Sequence, residues 1–162
     1  MLTATLQLPS DPMATERFGR WLGERLRPGD TLGLIGELGA GKTTLVRGLA
    51  HGLEVDDPEA VSSPTYLLVI EHPGPRRLLH ADAYLPAKLA GFLDDGGLEY
   101  LFDARKVVVV EWPERVRKWL PERLLWITIE PASHPGRRVG LRAEGPQACP
   151  WLTELATIWE RR

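Results

Sequence analysis

A chain of 162 residues with 20 basic and 22 acidic side chains, net charge −2, lacks the basic excess with which a protein grips nucleic acid unaided. Its single cysteine, Cys149, excludes an intrachain disulfide or a multi-cysteine metal site, and a buried or incidental thiol is expected there. No apolar run approaches the ~20 residues of a membrane span, and residues 1–9 hold no basic residue, so a soluble, cytoplasmic, one-domain protein is expected.

Residues 4–8 alternate weakly and read as an edge strand. Asp11 as cap and Pro12 at the first helical position then start a helix. It carries Phe18, Trp21, Leu22 and Leu26 at helical spacing and ends at Pro28-Gly29. Residues 31–35 read as a strand, followed by a glycine-rich stretch and a helix over 42–53. Strands over 66–70 and 78–81 flank the turn Pro73-Gly74-Pro75. The stretch 86–105 is mixed, with a short helix near 98–102, and Asp94-Asp95-Gly96-Gly97 reads as a loop.

Val107-Val108-Val109-Val110 suits a central strand buried on both faces. A short helix over 113–120 follows, then strands over 124–130 and 138–143 joined through Pro135-Gly136, and an amphipathic helix over 150–161. The pairs Arg76-Arg77 and Arg137-Arg138 read as solvated loop charge. Alternating helices and buried strands predict an α/β fold. Its expected form is three layers: a mostly parallel central sheet between helices, with an antiparallel strand pair near the C-terminus.

Gly36-Glu37-Leu38-Gly39-Ala40-Gly41-Lys42-Thr43 matches the phosphate-loop pattern G-x-x-x-x-G-K-[ST] at every defined position, between a predicted strand and a predicted helix. Glycines let successive backbone N–H groups turn toward phosphate oxygens, and the helix start adds free donors and the positive end of its dipole. Lys42 supplies charge for the β- and γ-phosphates, and the Thr43 hydroxyl suits magnesium. The motif therefore predicts a bound nucleoside triphosphate with Mg2+.

Such a site needs an acid at a neighbouring strand end. Glu111, directly after the valine run, is the candidate for holding the metal or polarising water. Asp103 is the weaker alternative, because it precedes the strand. Asp82 follows residues 78–81 and either serves the site or caps the next turn, while His80 reads as a packed or surface histidine and Tyr84 as a core candidate. Thr65, in Ser62-Ser63-Pro64-Thr65, is a candidate for a loop that closes over the γ-phosphate.

Together these segments resemble the TsaE (YjeE) family, small P-loop ATPases of bacterial tRNA threonylcarbamoyladenosine synthesis. The match runs through Gly36 to Thr44, Ser63-Pro64-Thr65-Tyr66, His80-Ala81-Asp82-Ala83-Tyr84, Gly97-Leu98-Glu99-Tyr100 and Val109 to Arg115. The resemblance implies that residues 37–44 bind ATP, that Thr43 and Glu111 serve magnesium, and that Asp82 has a catalytic or switch role. It implies too that Thr65 lies in a switch loop and that Trp112 helps shape the site. Leu85 stands where the family commonly has Arg, so no charge contact is carried over there. The implied partners are TsaD and TsaB, through which tRNA is chiefly contacted. A small-molecule kinase and a nucleotide-dependent binding module remain as alternatives. A GTPase is disfavoured, because no N/T-K-x-D segment is present.

Overall fold

The structure, a computed structural model, describes residues 2–37, 39–64, 68–131, 136–145, 149, 151, 152 and 155. Seven strands form one sheet: β1 (Leu2–Leu8), β2 (Thr31–Ile35), β3 (Val69–His72), β4 (Arg77–Asp82), β5 (Lys106–Glu111), β6 (Leu124–Pro131) and β7 (Arg137–Glu144). Their spatial order is β1-β7-β6-β2-β5-β4-β3. The middle four run parallel, as expected. Antiparallel pairing joins β6 to β7, the pair expected near the C-terminus, and also β1 to β7 and β3 to β4, so the sheet is evenly mixed rather than mostly parallel.

All six residues of β5 are buried, as befits a β-branched run covered on both faces. Successive side chains point to opposite faces. Val107 and Val109 therefore join a core with α1 (Pro12–Arg25) and α2 (Lys42–Gly52). Val108 and Val110 join a second core with α3 (Pro86–Phe92) and α4 (Leu98–Leu101). By the same alternation Glu111 follows Val109 onto the α2 face, and His80 and Asp82 follow Leu78 there. Strand parity alone delivers these three polar side chains to one side of the sheet.

Helix α1 starts as its sequence indicates, with Met13 N donating to Asp11 Oδ1 at 3.0 Å and Pro12 in the first position. It then lies against α2 along a seam of glycines. A Cβ added to Gly19 or Gly23 would run into the carbonyls of Leu45 or Leu49, and one on Gly48 or Gly52 into those of Glu16 or Arg20. The two backbones touch, and no side chain separates them. Phe18, Trp21, Leu22, Leu45, Val46 and Leu49 meanwhile fill the core.

Arg76 is not solvated loop charge. From the β3–β4 turn, its Nη1 donates to Gly23 O and Leu26 O, both at 3.0 Å, and its Nη2 to Gly52 O at 2.6 Å. One guanidinium thus caps the ends of α1 and α2, where unpaired carbonyls and the dipole favour a cation. Arg77 does behave as surface charge, 3.1 Å from Glu71. Arg76→Ala is expected to lower the unfolding free energy by about 2–3 kcal/mol, since buried carbonyls lose charged donors. Urea denaturation measures it, and an unchanged midpoint would contradict the cap.

Elsewhere the elements shift modestly. Pro86–Phe92 is a helix where the sequence reads as mixed, and Asp94-Asp95-Gly96-Gly97 lies in a π-type turn, residues 93–97, joining α3 to α4 rather than in a loop. Asp95 and Gly96 leave helical geometry there, and Asp94 Oδ1 accepts from Trp119 Nε1 at 3.1 Å. The element after β5, Pro113–Trp119, is a 3-10 helix kinked at Val116. Strand β3 begins later than expected, and positions 66 and 67 lie outside the described residues, as do Pro135 and most of the 150–161 segment. Cys149 is buried, which pushes its thiol up to about 12, aided by the charge of Asp30. Among the described residues no helix is long and apolar enough to cross a membrane.

Candidate functional site

The loop after β2 turns into α2 through Gly39 (φ 81°) and Gly41 (φ 106°), left-handed conformations that favour glycine. Gly41 is the N-cap of α2, and no side chain caps it. The first-turn N–H groups are thus left to another acceptor. They border a cleft of about 550 Å³ lined by Gly39, Gly41, Lys42, Thr43 and Thr44 of the loop and helix start. Asp82, Tyr84, Glu111 and Trp112 line it too, as does Ser63. Glu37 is exposed and Ala40 buried, and neither lines the cleft; Ala40 N donates to Glu37 O at 3.0 Å to close the turn. Leu38 and Thr65 lie outside the described residues.

Glu111 sits opposite Leu34 in the register of β2 and β5, beside the strand that feeds the loop. It is 3% exposed and Lys42 only 7%, so neither charge is well hydrated and each needs a partner. Lys42 Nζ lies 3.7 Å from Glu111 Oε1, and His80 Nε2 lies 2.6 Å from Glu111 Oε2. Asp82 neighbours Glu111 in the register of β4 and β5 and is itself buried. Its Oδ1 accepts from Tyr84 N at 2.7 Å. Asp82 thus lines the cleft and also caps the turn that follows β4.

Trp112 adopts φ 56°, a left-handed conformation costly for a bulky residue and one that clusters at functional sites. Its indole lies 4.5 Å from Lys42 Nζ, 4.6 Å from the Arg115 guanidinium and 5.5 Å from the Tyr84 ring. Tyr84, expected to be packed, is 39% exposed. Leu85 caps α3, but a guanidinium still reaches this corner: Arg115 Nη1 donates to Tyr84 O at 2.6 Å. Asp103 stands at the far end of β5, where hydrogen bonds from Arg105 hold its carboxyl well below the usual range.

Sequence reasoning missed Arg137. Read as solvated charge, it is instead half-buried and lines the cleft, its Nε 3.5 Å from where a Gly41 Cβ would sit. Its neighbour Arg138 does behave as surface charge, exposed and 2.9 Å from Glu130. Nothing local in the sequence marks Arg137, because the pairing of β7 with β6, and of β6 with β2, carries it to the loop. Pro12 and Thr15 of α1 also reach the cleft.

The model of the family described as threonylcarbamoyl adenosine biosynthesis protein TsaE matches residues 9–139. A tRNA threonylcarbamoyladenosine biosynthesis protein TsaE of Treponema pallidum is 38% identical over 125 residues, 77% of this chain and 90% of that one. The protein of the same name from Bacillus subtilis is 34% identical over 136 residues, 83% of each chain. Among solved structures, the crystal structure of Bacillus subtilis YdiB matches with a TM-score of 0.76 at 29% identity, covering 99% of this chain and 98% of that one. Matched along most of its length in sequence and nearly all of it in fold, the chain belongs to the TsaE family.

Proposed function

We propose that this protein is a magnesium-dependent P-loop ATPase that supports a TsaB–TsaD complex in forming threonylcarbamoyladenosine on tRNA. The observation that carries the reading is the meeting of the uncapped phosphate loop, Lys42 and Glu111 in one cleft. The donors fit the ligand. Left-handed glycines leave a cradle of N–H groups free of side chains, and the Thr43 hydroxyl with the Glu111 and Asp82 carboxylates forms the hard oxygen set magnesium prefers. When bound, Mg2+ neutralises charge on the phosphate oxygens.

The chain's own residues do the rest. The loop N–H groups and Lys42 bind and orient the β- and γ-phosphates. Glu111 and Asp82 orient the attacking water, whose oxygen bonds to the γ-phosphorus as the bond to ADP breaks. Trp112 keeps Lys42 at the cleft through its ring face. Arg137 adds charge beside the loop at Gly41. Thr65 belongs to the reading on the family resemblance, as the switch-loop hydroxyl. The names of the relatives support the pathway, and the charge balance fits tRNA contact made chiefly by partners.

The test is phosphate release from ATP, with and without magnesium and with and without purified TsaB–TsaD. Slow turnover alone and faster turnover with the partners are expected. Transfer of phosphate to a metabolite instead would favour a kinase. Lys42→Ala is expected to weaken nucleotide binding about 10- to 100-fold by calorimetry, the worth of a charge-assisted contact. Unaltered affinity would sink the site. Arg137→Ala should weaken the same binding about tenfold, with a shallower dependence on salt. Equal salt slopes for both proteins would place Arg137 outside the contact.

A further inference from the structure

We infer that His80 is a positioning residue, fixing the carboxylate of Glu111 in the cleft by a hydrogen bond from Nε2 to Oε2. The inference rests on the magnesium-ATPase reading for its functional consequence, but the placement of Glu111 can be tested separately.

His80 is fully buried in β4, on the face of the sheet that looks toward α2. On that face Leu78 lies one step back and Val109 across the register to β5, both apolar, and Asp82 lies one step on toward the cleft. Packing alone would be served better by leucine, which buries no polar nitrogen. The ring makes one short contact, 2.6 Å from Nε2 to Glu111 Oε2. Its Nδ1 has no hydrogen-bond partner among the described residues. Carboxylate oxygens accept, so Nε2 donates. A buried polar side chain whose one hydrogen bond among the described residues goes to an acid of the cleft is placed for that acid.

The two contacts of Glu111 differ in kind. Oε1 faces Lys42 at 3.7 Å, a flexible point charge that the phosphate loop directs at phosphate. Oε2 faces a planar ring held rigidly in the core. When Lys42 turns to phosphate, His80 remains as the contact that sets the Glu111 side-chain torsions and leaves Oε1 presented to the metal. Partners that orient a ligand in this way commonly change metal affinity or activity 10- to 100-fold when removed.

The experiment uses the full chain with His80→Leu, His80→Gln and His80→Asn. Gln carries an amide nitrogen near the reach of Nε2; Asn stops at the depth of Nδ1. The first readout is the crystal structure of each variant. With Leu and Asn the Glu111 carboxylate is expected to leave its place, and with Gln to keep it. The second is the magnesium concentration giving half-maximal turnover, expected to rise roughly 10- to 100-fold for Leu and Asn and within a few-fold for Gln. Affinity for ATP in EDTA should be unchanged in all three, since the phosphate loop is untouched.

Glu111 unmoved in the Leu variant would overturn the inference. So would equal losses in the Gln and Asn variants, which would make His80 a packing residue. A wild-type chain without magnesium-dependent turnover would instead defeat the ATPase reading, while the crystal structures still decide whether His80 places Glu111. Urea denaturation of the three variants reports folding separately, and the near-isosteric apolar Leu variant is expected to fold.

Discussion

Glu111→Ala is expected to lower magnesium-dependent ATP turnover by about a hundredfold or more, the range seen when a positioned acid or base is lost. The expectation follows from its place beside the loop strand, with Oε1 3.7 Å from Lys42 Nζ. Alanine also strips a buried acceptor from both Lys42 and His80, so some stability should be lost with it. Glu111→Gln separates the two effects. It keeps the volume and an acceptor oxygen while removing the charge, and should retain the fold but not the turnover. Nucleotide affinity in EDTA should not weaken in either variant, because Lys42 loses a competitor for phosphate. Steady-state phosphate release and calorimetry give both quantities. Turnover in the Gln variant equal to wild type would remove Glu111 from the chemistry.

Gly48→Val is expected to cost about 3 kcal/mol or more of folding free energy. The added Cβ would overlap the Glu16 carbonyl and press on Arg20 N at 3.0 Å, groups of a helix backbone that cannot yield separately. The opposing term is small. Replacing a helical glycine returns about 1 kcal/mol of propensity at best, and less for a β-branched residue. Overlap wins, and at this chain length the melting temperature should fall by roughly 6–12 °C. Gly91→Ala supplies the control. It lies in α3 with nothing within 4 Å of an added Cβ, so it should stabilise by about 0.5–1 kcal/mol. If Gly48→Val and Gly91→Ala moved the urea midpoint alike, backbone contact between α1 and α2 would not be what the glycines provide.

The parts legible in the sequence are those encoded by neighbours in the chain. Gly36 to Thr43 is a contiguous motif, and Glu111 announces itself by following a run of buried valines. Asp11 and Pro12 mark their helix start for the same reason. What stayed hidden depends on partners distant in sequence. Gly19, Gly23, Gly48 and Gly52 read singly as weak helix formers, and only the pairing of two helices turns them into a seam. Arg76 reads as surface charge until the ends of α1 and α2 arrive around it. Arg137 and Arg138 are adjacent in sequence, yet strand alternation sends one toward the loop and the other to Glu130. The β1–β7 pairing, which helps make the sheet evenly mixed, is likewise invisible to local pattern, because the two strands lie far apart in the sequence.

That last pairing orders the birth of the molecule. Among the described strands, β1 is made before the others and has its partner in β7, which is made after them. A ribosome adding about 5–20 residues per second leaves β1 waiting several seconds before that partner emerges. Strands β2, β4 and β5, with α1 and α2, can assemble meanwhile, bringing Lys42, Asp82 and Glu111 together. Arg137 comes only with β7. The nascent chain therefore gains its acids and its loop before the arginine beside that loop, and the docking of β7 both joins β1 to the sheet and brings Arg137 to the cleft.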